Sequence, residues 1–340
     1  MIQIEGTLIR DLILHRVGSE EENSIISDKA IDIEEEEEAV FKKALLKPFT
    51  SQAQTYEFRH EVGIGYNVLF NLSKGILEGE NFVEVSKDIL RHLVASSTHP
   101  NIKSGDLFIA KFDGIKVNNQ ELEGLGIYKY EDKESFIETT LSENGLKHAV
   151  RRGIGGKKPD KACLILFTEA PYTLLVIDNT SGETAYWQDD FIHHRLKNDH
   201  VNNTHHFMNM AKDFIVNQIP NEFEVSKADQ IDLLNRSVDY FKKKEVFDKK
   251  EFETEVFSDP NVVDAFQLFD QGYRKENELE IHDKFEIAGQ TVKKQSRIFK
   301  SVLKLDKNFH IYIHGDRNLI EQGHDEKGKK FYKLYYEEES

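Results

Sequence analysis

Cysteine, tryptophan, methionine and proline are scarce in this chain, which contains one, one, three and six of them among 340 residues. A single thiol, Cys163, cannot form an internal disulfide, so the sequence indicates a reducing, cytoplasmic compartment. Cys163 lies in the apolar run KACLILF, where we expect a buried core residue rather than a nucleophile. Because Trp and Met are so few, the 23 Phe and 12 Tyr residues must supply much of the core.

Long apolar runs are also lacking, and none approaches the ~20 residues that a membrane-spanning helix needs. Glu5, Arg10 and Asp11 interrupt the apolar N-terminal residues, so no signal-peptide core is expected and no membrane partner is predicted. What the chain has in excess is acid: 61 Asp and Glu against 45 Lys and Arg give a net charge of −16. Because negative charge repels phosphate, any nucleic-acid contact must be confined to a local basic patch.

Apolar periodicity predicts an α+β fold in three regions. Residues 1–184 should form a mainly antiparallel sheet packed with helices, residues 185–284 a helical region, and residues 285–340 a small, basic, β-rich segment. In the first region we expect a strand pair at the N-terminus, a helix from the acidic run Glu34–Glu38 to Pro48, helices after Ile64 and Asn81, and four apolar strands. The N-terminal strand pair would comprise Leu8–Arg16 and Asn23–Ile31.

Ser226, Asp248 and Asp259 are expected helix N-caps in the second region. The third region should contain a hairpin around the sequence LDKN. No GxSxG motif, Cys–His pair, Rossmann fingerprint or Walker loop is present, so we expect neither a catalytic residue nor a cofactor.

The basic segment Thr291–Lys304 is the first candidate for a nucleic-acid contact. It has a local charge of +5 and no acid, and its cations are Lys293, Lys294, Arg297, Lys300 and Lys304. If the segment were helical, four of these cations would share one face, whereas a strand would give a less regular face. An ordinary solvated face, or ion pairs to the surplus acids elsewhere, is the alternative interpretation.

A second candidate is the glycine-rich stretch HAVRRGIGGKKPDK. Its cations, Arg151, Arg152, Lys157 and Lys158, surround backbone that could expose N–H groups to phosphate. Pro159 follows the lysines where a Walker motif would need Ser or Thr. A mobile charged loop, a DNA-backbone contact and a nucleotide site all remain open for this stretch.

Histidines cluster between the sheet and the first long helix of the second region. The weak metal-ligand candidates are His193, His194, His200 and His205, with His206, Asp189, Asp190 and Asp199 nearby. Imidazole and carboxylate bind divalent metals, and such a site could support hydrolysis. The spacing matches no zinc signature, so polar loop and helix-start roles are the alternative, and Trp187 is expected to be a packing anchor.

With these elements placed, three stretches resemble the bacterial nucleoid-associated protein family of NdpA type. They are QAQTYEFRHEVGIGYNVLF at Gln52–Phe70, GDLFIAKF with LGIYKYEDKESFIE at Gly105–Phe112 and Leu125–Glu138, and VKKQSRIFKSVLKLDKNFHIYIHG at Val292–Gly315. The resemblance implies a location on the nucleoid and a partner that is DNA or a DNA-bound protein; a homodimer is also compatible with it. None of the stretches is a catalytic signature.

Two hypotheses follow from the sequence. The first is a non-enzymatic nucleoid-associated protein that contacts DNA non-specifically through a local basic patch, or through DNA-bound proteins. The alternative is a metal-dependent hydrolase acting on nucleic acid, which would use the histidine cluster. A scaffold that binds only other proteins is a third interpretation.

Overall fold

A computed structural model describes residues 2–52, 54–117, 120–143, 145–179, 185–277, 279–299, 302–313 and 319–338. The chain divides into a first unit, Met1–Lys197, and a second unit, Asn198–Ser340. The α+β class predicted from the sequence is confirmed: antiparallel strands dominate the first unit and helices the second. The finer division into three regions stays a prediction.

The first unit contains the predicted helices and apolar strands, together with short strands and one hairpin that the apolar runs do not predict. They are β1 (Ile2–Gln3), β2 (Leu8–Val17), α1 (Glu35–Leu45), β3 (Tyr56–Phe58), α2 (Val68–Leu77), α3 (Phe82–Ser96), β4 (Gly105–Val117), β5 (Gln120–Tyr130), β6 (Glu134–Ser142), β7 (Gly145–Gly153), β8 (Lys161–Leu166), β9 (Thr173–Asp178) and β10 (His194–Leu196).

One antiparallel sheet organises this unit. Its strand order is β1-β4-β5-β8-β9-β3-β10, and β2 pairs with the remaining length of β4. The last two of the predicted apolar strands form a hairpin, β8 and β9, where Leu164 pairs with Leu175 and Leu166 with Thr173. Strands β6 and β7 pair only with each other and form a separate two-stranded hairpin.

The central strands are buried on both faces, which explains their nearly continuous apolar sequences. On one face, side chains such as Leu107, Ile127 and Cys163 pack against α2, α3 and Trp187. On the other face, alternate residues such as Phe108 and Tyr128 pack against α1 and the 3-10 turn that follows it. The predicted burial of Cys163 and the packing role of Trp187 are confirmed, since neither exposes surface.

The predicted N-terminal strand pair is only half correct. Strand β2 forms as expected, but Asn23–Ile31 is not a strand, apart from one bridge between Ile25 and Arg16. A 3-10 turn begins this stretch at Glu21–Asn23. Its acids and turn residues outweigh the few β-branched side chains that suggested a strand.

The second unit contains helices, short single-turn extensions of them, and two-stranded hairpins. The labelled elements are α4 (His200–Asp213), α5 (Ile219–Glu222), α6 (Lys227–Lys243), β11 (Val246–Asp248), α7 (Lys249–Phe252), α8 (Pro260–Glu276), β12 (Lys284–Glu286), α9 (Gly289–Gln295), β13 (Val302–Leu305), β14 (Phe309–Tyr312), β15 (Ile320–His324) and β16 (Lys330–Leu334). The predicted caps Ser226, Asp248 and Asp259 each accept hydrogen bonds from the first turn of their helix.

Phenylalanine builds the core of the second unit, as the shortage of Trp and Met predicts. Phe207 contacts Phe247 at a ring-centroid distance of 4.2 Å, and Phe214 contacts Phe266 at 5.1 Å. A smaller cluster packs Ile231 of α6 against Leu303 of β13. The predicted LDKN hairpin is confirmed as β13 and β14. However, the start of the basic C-terminal segment is helix α9 and not a strand.

Candidate nucleic-acid interface

The basic segment Thr291–Lys304 is not one continuous element. Its cations fall in helix α9, in a single 3-10 turn (Ser296–Ile298) and in strand β13. The single face that a continuous helix would give therefore does not form, and among the described cations helical spacing is kept between Lys293 and Arg297. Lys300 lies outside the described residues, and Lys304 is exposed on β13 opposite His310.

Lys293 and Arg297 nevertheless lie beside a groove between α6 and α9. Lys293 lines a cavity of about 1010 Å³, together with Lys242, Lys244 and Val292. Arg297 lines an adjoining cavity of about 310 Å³, and Lys242 and Ser296 border both cavities. We call Lys242, Lys293 and Arg297 the α6–α9 patch. The charge along Thr291–Lys304 does not reveal Lys242, although the run FKKK at the end of α6 signals a cationic helix terminus.

The three side chains of the α6–α9 patch are exposed, and no ion pair joins them to an acid anywhere in the described ranges. The neighbouring Lys244 differs, because it binds Glu251 at 2.6 Å and Glu255 at 2.8 Å. Acids also border the groove, namely Asp239, Glu245 and Glu286. The groove is thus mixed in charge at its margins, with three cations free to meet an external anion.

Lys294 faces a different environment from Lys293. Its side chain is half-buried, and this burial lowers the pKa of its ammonium group because desolvation disfavours the charged form. An exposed cation can approach phosphate at less desolvation cost than a half-buried one. Lys293 is therefore the better-placed lysine of this pair for an external contact.

The glycine-rich candidate has a different structure from the loop expected for it. Arg151 and Arg152 lie on strand β7, and only Lys157 and Lys158 lie in the turn after it. Arg151 binds Glu138 across the hairpin at 2.9 Å, and Lys157 binds Asp160 at 2.6 Å. These ion pairs use two of the four cations within the fold. The dipeptide Asn144–Gly145 in the sequence is a hairpin signal that could have revealed β6 and β7.

Arg152 and Lys158 remain as the cations of this stretch that are exposed to solvent without an ion pair in the described parts of the chain. Arg152 borders a cavity of about 340 Å³ that Asp106 and Glu131 also line. Arg16 and Lys133 also line this cavity, but both pair with Asp106, at 2.9 and 2.6 Å, and are therefore already held within the fold. The α6–α9 patch is accordingly the stronger candidate.

The histidines are distributed over both units. His193 ends the helical turn Trp187–Ile192, and His194 lies in β10, both in the first unit. His200 and His205 lie in helix α4 of the second unit. Asp199 caps α4 by accepting hydrogen bonds from Val201 N and Asn202 N at 3.0 Å, which is a structural role.

The individual imidazoles differ in their surroundings, since His205 has hydrogen-bond partners, whereas both ring nitrogens of His194 are buried without one in the described residues. His205 hydrogen-bonds Asn209 at 3.0 Å and also contacts Gln295. Burial lowers the pKa of His194 to about 4, and that of His206 to about 4. Over the residues that the structure describes, no three His, Cys, Asp or Glu side chains are grouped as metal ligands. Nothing in those residues supports the hydrolase alternative.

Two buried lysines form a further polar cluster that the sequence did not suggest. Lys129 Nζ donates to Glu131 at 3.0 Å and to the Tyr186 hydroxyl at 3.0 Å. Lys161 Nζ donates to Asp178 at 2.7 Å, and both ammonium groups lie over the Tyr186 ring. Each buried charge is therefore paired, as a stable interior requires. The cluster fastens β5, β8 and β9 to the segment that carries Tyr186.

Comparison of the sequence with models of protein families gives a match over most of the chain. The model of the family described as nucleoid-associated protein YejK matches residues 13–332. The chain belongs to this family of nucleoid-associated proteins. A search of curated proteins found no match.

The resemblance noted in the sequence is thereby confirmed, and the family match spans both units, the α6–α9 patch included. The family supports a nucleoid-associated role. Within the described ranges, no helix is long and apolar enough to cross a membrane.

Proposed function

We propose that this nucleoid-associated protein binds the DNA backbone directly, without sequence preference, through the α6–α9 patch, and that this contact locates it on the nucleoid. The observation that supports the proposal is the arrangement of Lys242, Lys293 and Arg297. These cations border two adjoining cavities that share Lys242 and Ser296, and no acid pairs with them in the described residues. Elsewhere on the described surface, many Lys and Arg side chains are held by acids, for example Lys87 and Arg91.

The chemistry of the patch suits phosphate. The Arg297 guanidinium can bind a phosphate in a bidentate manner, while Lys242 and Lys293 act as point charges beside it. Phosphate contacts position a protein on DNA but carry no sequence information, so binding should be nearly equal for all sequences. Lys294 and Lys304, in the same segment, are secondary contacts in this proposal, and Arg152 with Lys158 forms a separate, weaker candidate.

A matched pair of triple variants tests the proposal. The test variant carries Lys242→Gln, Lys293→Gln and Arg297→Gln. The control carries Lys43→Gln, Lys74→Gln and Arg91→Gln, which removes the same charge from α1, α2 and α3. Fluorescence anisotropy with labelled duplexes of several sequences would measure the affinity of each protein at low salt.

We expect the test variant to bind every duplex about tenfold or more weakly than wild type, because three phosphate contacts are lost. The control should lose much less. Equal affinity for the test variant and the wild type would show that the patch is not the contact. If the wild type bound no DNA at low salt, direct binding would be wrong, and a DNA-bound protein would have to carry the nucleoid association.

A further inference from the structure

The hairpin of β6 and β7 extends from the main sheet of the first unit and differs from its central strands in being exposed on both faces. It is inserted between β5 and β8, which pair with each other, so it leaves the sheet at the end of that pair. Neither nine-residue strand contains a buried residue. We call this hairpin, Glu134–Gly153, the arm.

One face of the arm, which we call the apolar face, carries four exposed aliphatic side chains. Ile137 pairs with Val150 near the base, and Leu141 pairs with Leu146 near the tip. Their exposed fractions are 69%, 68%, 85% and 77%, respectively. An isolated two-stranded hairpin is marginally stable in water, and a contiguous exposed apolar patch usually marks an interaction site. The other face carries mixed residues, such as Glu138 beside Arg151.

The order of residue pairs on the apolar face is symmetric about its centre. The pair Thr139–His148 lies at the middle, and an apolar pair lies two residues away on either side of it. Opposite charges extend the pattern, since Arg152 lies beyond the apolar pair at the base and Glu143 lies beyond the one at the tip. A surface of this kind is complementary to its own copy when a twofold axis passes through the middle pair.

We propose that the arm is a dimerisation element, and that two copies of the chain stack their arms face to face and antiparallel. In this arrangement Ile137 packs on the second copy's Leu141, and Val150 packs on its Leu146. Arg152 approaches Glu143 of the second copy, and His148 faces its own counterpart near the axis. The antiparallel direction places the two sheets at opposite ends of the stacked arms, so that the sheets do not collide.

If the protein binds DNA as proposed above, dimerisation through the arm also affects that binding. A dimer carries two α6–α9 patches, and simultaneous contact of both with one duplex would raise the apparent affinity through effective concentration. Dimerisation itself can be measured without DNA, so failure of one proposal is distinguishable from failure of the other.

Sedimentation velocity of the full chain over a range of concentrations tests dimerisation through the arm, using two variants at adjacent residues. Leu141→Asp places a charge on the apolar face, and Thr140→Asp places the same charge on the opposite face. We expect the first to raise the dimer dissociation constant by about 100-fold or more, as loss of a central apolar contact does, and the second to change it little. Circular dichroism would show that both variants are folded.

A charge-swap pair tests the antiparallel register. His148→Asp and His148→Lys should each weaken the dimer, because like charges meet near the axis. An equimolar mixture of the two should form a heterodimer more readily than either variant forms a homodimer. A monomeric wild type at all concentrations, a dimer that tolerates Leu141→Asp, or a mixture without rescue would each overturn the proposal.

Discussion

Cys163 illustrates how burial controls the chemistry of a single residue. The thiol lies in the centre of β8 and exposes no surface, and burial raises the pKa of the thiol well above its usual range. Because the thiolate is the reactive form, a buried neutral thiol is inert. We expect a bulky maleimide to label the native protein very slowly and the denatured protein at once. Rapid, complete labelling of the native protein would contradict this placement.

His194 gives the fold a predictable response to acid. Burial beside the Tyr56 ring lowers the pKa of His194 to about 4, whereas an unfolded imidazole titrates near 6.5. Since the unfolded state then binds more protons, this residue favours folding above pH ~6.5 and loses that contribution as the pH falls toward 4. The loss should amount to about 1–3 kcal/mol.

The matched variant for this prediction is His194→Phe, which keeps an aromatic ring against Tyr56 but cannot be protonated. Urea unfolding at pH 7 and pH 5 should show a smaller loss of stability on acidification for the variant than for the wild type. An unchanged pH dependence would mean that His194 does not contribute to it. His15 and His206, whose pKa values burial also lowers to about 4, should produce the acid sensitivity that remains.

At the scale of elements, Asn67 and Asn81 are both N-caps, but their surroundings differ. Asn67 is buried, caps α2 by accepting from Phe70 N at 2.8 Å, and donates to the carbonyls of Arg59, Ile192 and His193. Asn81 is exposed and caps α3 by accepting from Glu84 N at 3.1 Å.

Asn81→Ala should therefore cost about 1 kcal/mol, the usual contribution of a cap. Asn67→Ala should cost about 2–4 kcal/mol, because the carbonyls of Arg59, Ile192 and His193, one buried and two partly buried in these hydrogen bonds, lose a donor as well. Chemical denaturation of the two variants would measure the difference. Equal losses would show that Asn67 acts only as a cap and does not hold α2 to the neighbouring chain segments.

Elements with a buried face were predictable from the sequence, and elements without one were not. Strands β4, β5, β8 and β9 are buried on both sides, which restricts their residues to apolar types and makes them recognisable. The arm buries neither face, so polar and apolar residues are mixed along both of its strands. The alternation of apolar and polar residues that identifies a strand is therefore hard to recognise in its sequence. Stretches of this kind can be located only through a turn signal.

The candidate site was predictable in part for a similar reason. The +5 charge of Thr291–Lys304 identified Lys293 and Arg297. Lys242 lies about 50 residues earlier, on α6, and only the tertiary packing of α6 and α9 brings it to the same groove. Local charge can be counted along a chain, whereas a patch assembled from two helices depends on how their apolar faces meet.

We propose that this chain, with a net charge of −16, holds DNA by one small cationic patch. An acidic protein repels phosphate over most of its surface, so the number of phosphates it neutralises must be small. Each phosphate contributes about −0.9 to the slope of log affinity against log salt, and the three side chains of the α6–α9 patch account for about −2.7.

The most direct test is a DNA-binding titration of wild type and the Lys242, Lys293 and Arg297 triple variant at several salt concentrations. We predict a wild-type slope between about −2 and −5 per chain, and a slope shallower by about 2 to 3 in the variant. An arm-mediated dimer that engages both patches would double the wild-type slope. Identical slopes for the two proteins would contradict DNA binding through the α6–α9 patch, because the patch would then neutralise no phosphate.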